Sequence, residues 1–520
     1  MRKPTHGWRL NRRRDAGAQG RRVTATALGL LALTVCVTAP LRLSAQSLQQ
    51  RLERRLSATP WDRSLWGIAV IDDKGKLRYG VNQDRLFIPA SNTKLLVTSV
   101  ASALLPPDWT VKTSVYAAGP VTDGVVEGDL VLYGRGDPTL GRSKRCYSVD
   151  TTLAGVCDTD PYFELRQLVG GLRARGVTAV AGDLVGDGSY FETETVNPWW
   201  EGYDLNWWYA APVTGLAFND NSVDIKWGPD TLRGGPAILS ISPLVGDLTL
   251  ENRTRTRADS SPTTIDFFRT PGTLALWAEG DVNRASHGGL ESFAMPDPNL
   301  FTARAFRQVL ADSGIRVLGT TRSTTDSLEY QAARNTPALA EAAGRPLKDW
   351  IFPILNTSQN WYAEMLIKQL GKVFGKAGSW KEGLAVERRF LVDSMHVDST
   401  QFATEDGSGL AASDLVSPLA FTQILRYTRS HRGWATFEPG LPLAGAPGSL
   451  KDRFQGTPLA GRVRAKTGSI GRVNTLSGFI EFPDGKIWTV SVLANHHAQR
   501  GRDALAEIDS LVVDIGRSRK

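Results

Sequence analysis

Ser91-Asn92-Thr93-Lys94 is the stretch on which the reading of this 520-residue chain turns. Pro89 precedes it, and a helical pattern runs from about Ser91 to Leu104, so Ser91 and Lys94 fall at positions i and i+3 on one face of a starting helix. A serine hydroxyl is a poor nucleophile at neutral pH and needs a base within hydrogen-bond reach. Lysine can be that base only when its proton is lost, which burial and a second nearby cation both promote. Alone, S-x-x-K is weak, since about one or two copies arise by chance in a chain this long.

Two further words stand in order downstream, Ser358-Gln359-Asn360 and Lys466-Thr467-Gly468. The first two have a plain structural alternative: Ser91 and Ser358 could be helix caps. All three words in one order point instead to a serine nucleophile activated by lysine. In that chemistry Lys94 is the general base, Ser358 relays a proton to the leaving amine, and Asn360 holds both the lysine and the substrate amide. Lys466 supplies the second cation and, with Thr467 and Ser469, binds a terminal carboxylate. Gly468 lets a substrate backbone approach the strand. The backbone amides of Ser91 and Ser469 would form an oxyanion hole, whose loss costs about 10²–10³ in rate.

The formal charge of +8 and the pI near 9.3 would ordinarily invite a nucleic-acid partner. Residues 1–45 hold nine Lys/Arg and one acid, which leaves 52 bases and 52 acids in the remainder. The basic character belongs to the leader, so no nucleic-acid partner is expected. A basic segment precedes the apolar run from about Ala25 to Val37, and Leu43-Ser44-Ala45 offers a cleavage site, the pattern of a secretory signal over 1–45. The alternative is a retained N-terminal anchor, and peripheral contact with the cell wall or membrane surface is open in either case. Beyond the leader the chain has two cysteines, Cys146 and Cys157, and an even pair in an exported protein suggests a disulfide. Closing that short loop would contribute roughly 3 kcal/mol.

The hydrophobic pattern predicts a helix through Leu48, Leu52 and Leu56, then strands Leu65 to Ile71 and Lys76 to Val81 around Asp72-Asp73-Lys74-Gly75. From about 110 to 335 the chain is rich in short strand-like runs and turns, interrupted by helices at Phe163 to Ala174 and about Asn299 to Ser313. Helical patterning returns near 346–371 and at Ser417 to His431. A hairpin about Pro483-Asp484-Gly485 follows, then a helix with Leu505, Ile508, Leu511, Val512 and Ile515 on one face. Because the three motifs must meet in space, the expectation is an α/β, multi-domain chain. One discontinuous domain, 46–110 with 336–520, carries the site, and 111–335 is a large β-rich insertion.

The motif set resembles the low-molecular-mass class C penicillin-binding proteins, the D-alanyl-D-alanine carboxypeptidase/endopeptidase family (peptidase family S13). The 267 positions from Ser91 to Ser358 suit a family with domains inserted there. Gly134-Arg135-Gly136-Asp137-Pro138-Thr139-Leu140, Phe218-Asn219-Asp220-Asn221 and Asp406-Gly407-Ser408-Gly409-Leu410 add to the likeness. The resemblance implies a penicillin-binding/β-lactamase-like transpeptidase domain with two nested insertions. It also implies peptidoglycan peptides as substrate, β-lactam antibiotics as acylating ligands, and no cofactor. In that family an aspartate of the insertion binds the free amino group of the diamino-acid side chain, and Asp187 is the best match here.

Other classes fit less well. A β-lactamase needs a Glu-x-x-x-Asn type of deacylation motif after S-x-N, whereas Glu201 and Asn206 lie upstream. No Gly-x-Ser-x-Gly elbow accompanies the six histidines, and metal-ligand spacing is lacking, so no metal is expected. Trp199, Trp200, Trp207 and Trp208 could instead form the stacking platform of a non-catalytic cell-wall-binding protein.

Overall fold

Helix α1 (Leu48–Leu56) begins at Ser47, whose hydroxyl accepts from the Gln50 amide while the Gln50 side chain accepts from the Ser47 amide. The hairpin β1 (Leu65–Ile71) and β2 (Leu77–Val81) follows, then a 3₁₀ turn at Ala90–Thr93 that runs into α2 (Lys94–Leu104). A computed structural model of the chain describes residues 47–141, 160–258, 260–270 and 272–518. The leader and the Cys146 and Cys157 pair lie outside the described residues.

The middle of the chain contributes β3 (Lys112–Ala117), β4 (Leu130–Tyr133), α3 (Phe163–Ala174), β5 (Leu184–Asp187), α4 (Pro298–Asp312), β6 (Thr321–Thr324) and β7 (Ala340–Ala343). These five strands make one sheet in the order β6-β5-β4-β3-β7. Three-stranded sheets built on Ser222–Gly228 and on Ala275–Asn283 lie in the same stretch. Leu165, Leu172, Phe301 and Phe306 of α3 and α4 share a core with Leu130, Leu132 and Leu184 of the sheet. The β-rich texture of the sequence here corresponds to strands.

The last third forms α5 (Leu347–Asn356), α6 (Asn360–Phe374), α7 (Trp380–Asp393), α8 (Pro418–Ser430), β8 (Val463–Ile470), β9 (Val473–Glu481), β10 (Ile487–Asn495) and α9 (Gly501–Arg517). The helical pattern near 346–371 is two helices, because the backbone breaks at Thr357–Gln359 and Ser358 takes a left-handed φ of 64°. Ser417 caps α8 by accepting from the Ala420 amide, with Pro418 in the first turn.

Strands from both ends of the chain join in an antiparallel sheet of order β2-β1-β10-β9-β8, which leaves β8 at its edge. On one face Leu52 of α1 and Ile508, Leu511, Val512 and Ile515 of α9 pack with Ile68, Val70, Val490 and Val492. Each side chain so buried contributes roughly 1.5–3 kcal/mol. Ala504, not Leu505, completes that face of α9, and Leu505 is half-buried beside a groove. Helix α8 packs on the sheet from the other side and contacts α2. A layer of large side chains, Trp350, Trp361, Tyr362 and Phe421 among them, fills the space between the helices.

Gly409 shows how tightly the loop after α7 meets the turn before α2. Its φ is +78°, and a Cβ there would lie 1.9 Å from the Ala90 carbonyl oxygen. Gly409→Ala is therefore expected to lower stability by about 1–3 kcal/mol in urea unfolding and to reduce turnover by displacing the Ser91 turn.

Candidate active site

Ser91 lies in the 3₁₀ turn rather than in the helix proper, and Lys94 is the first residue of α2. Neighbours fix the turn from two directions. Thr475 of β9 donates to the Pro89 carbonyl at 2.9 Å, and the Asn92 amide lies 2.7 Å from the Ser477 hydroxyl. Thr93 donates to Asp414 at 3.0 Å. Ala90 sits at a left-handed φ of 48°, a conformation that a residue with a Cβ holds only when its surroundings enforce it.

Lys94 is fully buried, and its Nζ has three neighbours: Ser91 Oγ at 2.8 Å, Asn360 Oδ1 at 2.7 Å and the Ser408 carbonyl at 2.7 Å. The Asn360 amide nitrogen donates to the Tyr209 carbonyl at 3.1 Å, so its oxygen is the atom turned to the lysine. The Asn360 oxygen and the Ser408 carbonyl can only accept. They occupy the two N–H bonds of a neutral amine and leave its lone pair for the Ser91 proton. Burial lowers the Lys94 pKa to about 7, opposed by the negative potential of Asp406, Glu364 and Asp414. Glu364 is itself pushed up to about 8, mainly by burial, and Asp414 well above the usual carboxylate range.

Lys466 of β8 is likewise fully buried. Its Nζ donates to Ser358 Oγ at 2.9 Å and to the Thr467 carbonyl at 2.7 Å. Burial, then the charge of Lys94, holds its pKa well below the usual lysine value. Thr467 donates to Ser449 at 3.1 Å, and Ser469 accepts from the Asn474 amide at 2.7 Å. Gly468 is required for another reason than the one expected. A Cβ there would lie 2.2 Å from Thr475 Oγ1, 2.7 Å from the Pro89 carbonyl and 3.0 Å from the Ser91 nitrogen. The close approach is between the edge strand and the Ser91 turn, inside the protein.

A cavity of about 460 Å³ opens over Ser91. Asn360, Tyr209, Leu410 and Ser469 line it, and Glu201 and Asp204 come from the insertion. The structure thus brings Ser91, Lys94, Ser358, Asn360, Lys466, Thr467, Gly468 and Ser469 into one neighbourhood. A family model, the D-Ala-D-Ala carboxypeptidase 3 (S13) family, matches residues 48–514. The chain belongs to this family.

Relatives agree with that membership. A D-alanyl-D-alanine carboxypeptidase of Actinomadura sp. (strain R39) is 28% identical over 97% of this chain and 92% of its own length. The crystal structure of penicillin binding protein 4 (dacB) from Haemophilus influenzae superposes with a TM-score of 0.74 at 19% identity, covering 90% of this chain and 99% of that one. A structure of the same protein complexed with a β-lactam superposes with a TM-score of 0.69, also at 19% identity, over 89% and 98%. At that identity the likeness establishes a shared fold, the multi-domain penicillin-binding architecture. The S13 chain is a serine-type carboxypeptidase/endopeptidase.

Asp187 is the departure from expectation. It ends β5 with no exposed surface, accepts from the Ser189 amide at 2.9 Å, and is ion-paired with Arg334, itself largely buried. The carboxylate is already satisfied inside the protein and does not line the cavity over Ser91. The acids that do face the cavity are Glu201 and Asp204. Both lie on a segment secured by buried contacts. Trp200 donates to Asp406 at 2.9 Å, the Asn197 amide to the Glu405 carbonyl at 2.7 Å, and Tyr209 to Asp204 at 2.9 Å. The clustered tryptophans are accordingly divided, Trp200 being buried and Trp199 exposed.

Reading the motifs also passed over the role of Asp406. It accepts from the amides of Ser408, Gly409 and Ala411 and from Trp200, and so turns the Ser408 carbonyl toward Lys94. The Asp-Gly-Ser-Gly-Leu run was visible, but its use depends on a loop closing over another element.

Two outcomes are expected. The acylation rate should rise as pH increases through about 7, because the Lys94 amine is protonated and unable to accept a proton below that value; stopped-flow kinetics from pH 5 to 9 would measure it. Arg334→Ala should cost about 3–5 kcal/mol in urea unfolding by leaving Asp187 buried and unpaired. Asp187→Asn should leave KM unchanged for a substrate bearing a free side-chain amine.

Proposed function

We propose that the chain is an exported serine D-Ala-D-Ala carboxypeptidase and DD-endopeptidase. It hydrolyses peptidoglycan stem peptides or cross-links through an acyl-enzyme on Ser91, and penicillin acylates the same oxygen. The observation that carries this reading is the setting of Lys94 Nζ, 2.8 Å from Ser91 Oγ with its other two neighbours acceptors. Residues 46–110 and 336–520 act as the peptidase domain and 111–335 as its insertion, which lends Glu201, Asp204 and Tyr209 to the cavity.

Ser91 Oγ attacks the carbonyl carbon of the penultimate D-alanine while its proton passes to the Lys94 amine. The amides of Ser91 and Ser469 hold the oxyanion. Collapse breaks the C–N bond, and the departing amine takes a proton through Ser358, which Lys466 orients at 2.9 Å. Water then adds to the ester, the bond to Ser91 Oγ breaks, and the serine regains a proton. Lys466, Thr467 and Ser469 receive the terminal carboxylate of the substrate. Glu201 and Asp204 receive the free amine of its diamino-acid side chain, the part first assigned to Asp187.

In a β-lactam the cleaved amide is part of a ring, so the amine stays tethered and blocks the water. The β-lactam complex of the Haemophilus influenzae protein supports carrying this ligand class across. Export rests on the leader at 1–45 and suits a cell-wall substrate in the periplasm or at the cell surface, with the leader cleaved or kept as an anchor. Among the described residues, no helix is long and apolar enough to cross a membrane.

Fluorescent penicillin should label the protein and fail to label Ser91→Ala, which should also release no D-alanine from peptidoglycan peptides while unfolding at an unchanged temperature. Peptide release by that variant would end the proposal. Mass spectrometry of the muropeptides formed by the intact enzyme would divide terminal trimming from cross-link cleavage. Lys466→Ala should lower kcat/KM by about 10²-fold, the range for loss of a hydrogen bond to a charged ligand group such as the substrate carboxylate.

A further inference from the structure

Ser469 borders a second cavity besides the one over Ser91. This groove, of about 410 Å³, is walled by Arg472, Asn474, His497, Gln499 and the first turn of α9. Ser469 and Asn474 are register partners across β8 and β9, so their side chains leave the same face of the sheet. The Asn474 amide nitrogen donates to Ser469 Oγ at 2.7 Å, and its oxygen lies 2.9 Å from His497 Nε2. The other ring nitrogen, Nδ1, lies 3.2 Å from the Gln499 carbonyl. Asn474 and His497 are 3% and 2% exposed, so neither can exchange these partners for bulk water.

A hydroxyl has one proton to give and two lone pairs to receive with. Where Asn474 occupies a lone pair of Ser469, the proton of that hydroxyl stays free to point into the active cavity. If the Asn474 amide turned over, its oxygen would take the serine proton and Ser469 would stop donating outward. His497 decides between the two. With the ring proton on Nε2 the Asn474 oxygen is held on the ring side and the nitrogen on the serine side; with the proton on Nδ1, donated to the Gln499 carbonyl, the amide would turn over. Trp61 packs edge-on at 6.4 Å and keeps the ring in place.

We propose that Asn474 and His497 are positioning residues that keep the Ser469 hydroxyl a donor to the carboxylate at the end of the substrate. The inference rests on the reading of Ser469 as a carboxylate-binding residue. Arg472, beside the ring, and Arg500 and Arg502, at the start of α9, also line the groove, with Asp503 the acid paired to the latter two. Their charge adds to the preference of this edge for an anionic substrate end.

The experiment compares kcat/KM for an acyl-D-alanyl thioglycolate with that for its carboxamide, two thioesters that differ only in the charged terminus. Ser469→Ala should lower the carboxylate-to-carboxamide ratio about tenfold, the value of one hydrogen bond to a charged group. His497→Phe keeps a ring but offers no donor, and should lower the ratio about three- to tenfold. His497→Gln, whose amide can donate to Asn474, should restore it. Thermal unfolding of each variant separates this effect from lost structure. The inference is overturned if His497→Phe leaves the ratio unchanged while Ser469→Ala lowers it, or if both His497 variants depress the two substrates equally. An unchanged ratio in Ser469→Ala would instead remove the reading of Ser469 on which the inference stands.

Discussion

Two lysine amines, those of Lys94 and Lys466, are fully buried in one neighbourhood, and among the described residues neither has a carboxylate as a direct partner. Burying an ammonium without a counter-ion is costly, so the protein meets both amines with neutral acceptors and depresses their pKa values instead. This constraint explains much of the surrounding architecture. Acceptors must reach Lys94 from α6 and from the loop after α7, and Lys466 must be met by Ser358, whose left-handed backbone exists at the break between α5 and α6. Acids lie close by, yet Glu364 and Asp414 are held above the usual carboxylate range by burial, which moderates the field they exert on the lysine at neutral pH.

Helix α6 is the element that unites the distant parts of the chain. Its first residue, Asn360, touches Lys94, and Glu364, one turn on, accepts from the Gly407 amide at 3.1 Å. Gln369 donates to the carbonyls of Arg135 and Gly136, while Gln359, just before the helix, donates to Asp220 at 2.9 Å. The three stretches that strengthened the family resemblance, at 134–140, 218–221 and 406–410, thus share one job. They brace the helix that carries Asn360, and the last of them also contributes the Ser408 carbonyl. Misplacing a reacting group by about 1 Å can cost about 10²-fold in rate, and bracing from several separate segments holds the serine–lysine pair in place.

Much of the site was legible because its chemistry is local in sequence. Ser91 and Lys94 are three positions apart, so a helical start places them together whatever surrounds them, and Ser358 and Asn360 flank one helix start in the same way. Gly468 was legible as a close approach, though the partner is the Ser91 turn rather than a substrate. The pairing of Asp187 with Arg334 was not legible, because an aspartate in a turn-like context looks the same whether its carboxylate meets solvent, a ligand or a buried arginine. Arg334 lies 147 positions away and no local pattern announces it. Glu201, Asp204, Asp406 and the Asn474–His497 contact were obscure for the same reason.

The sequence by itself determined that Ser91 and Lys94 meet, that Lys466 lies on an edge strand, and the family, because hydrogen-bond reach along a helix or strand is a property of spacing. It also determined the strands and helices at the two ends, through hydrophobic periods of 2 and 3.6. Tertiary structure alone decided which acids face the cavity, which is spent on an internal ion pair, and how far each lysine is removed from water. Those outcomes depend on burial and on partners distant in the chain, and electrostatic energies follow distance and solvent exposure in space rather than position in sequence.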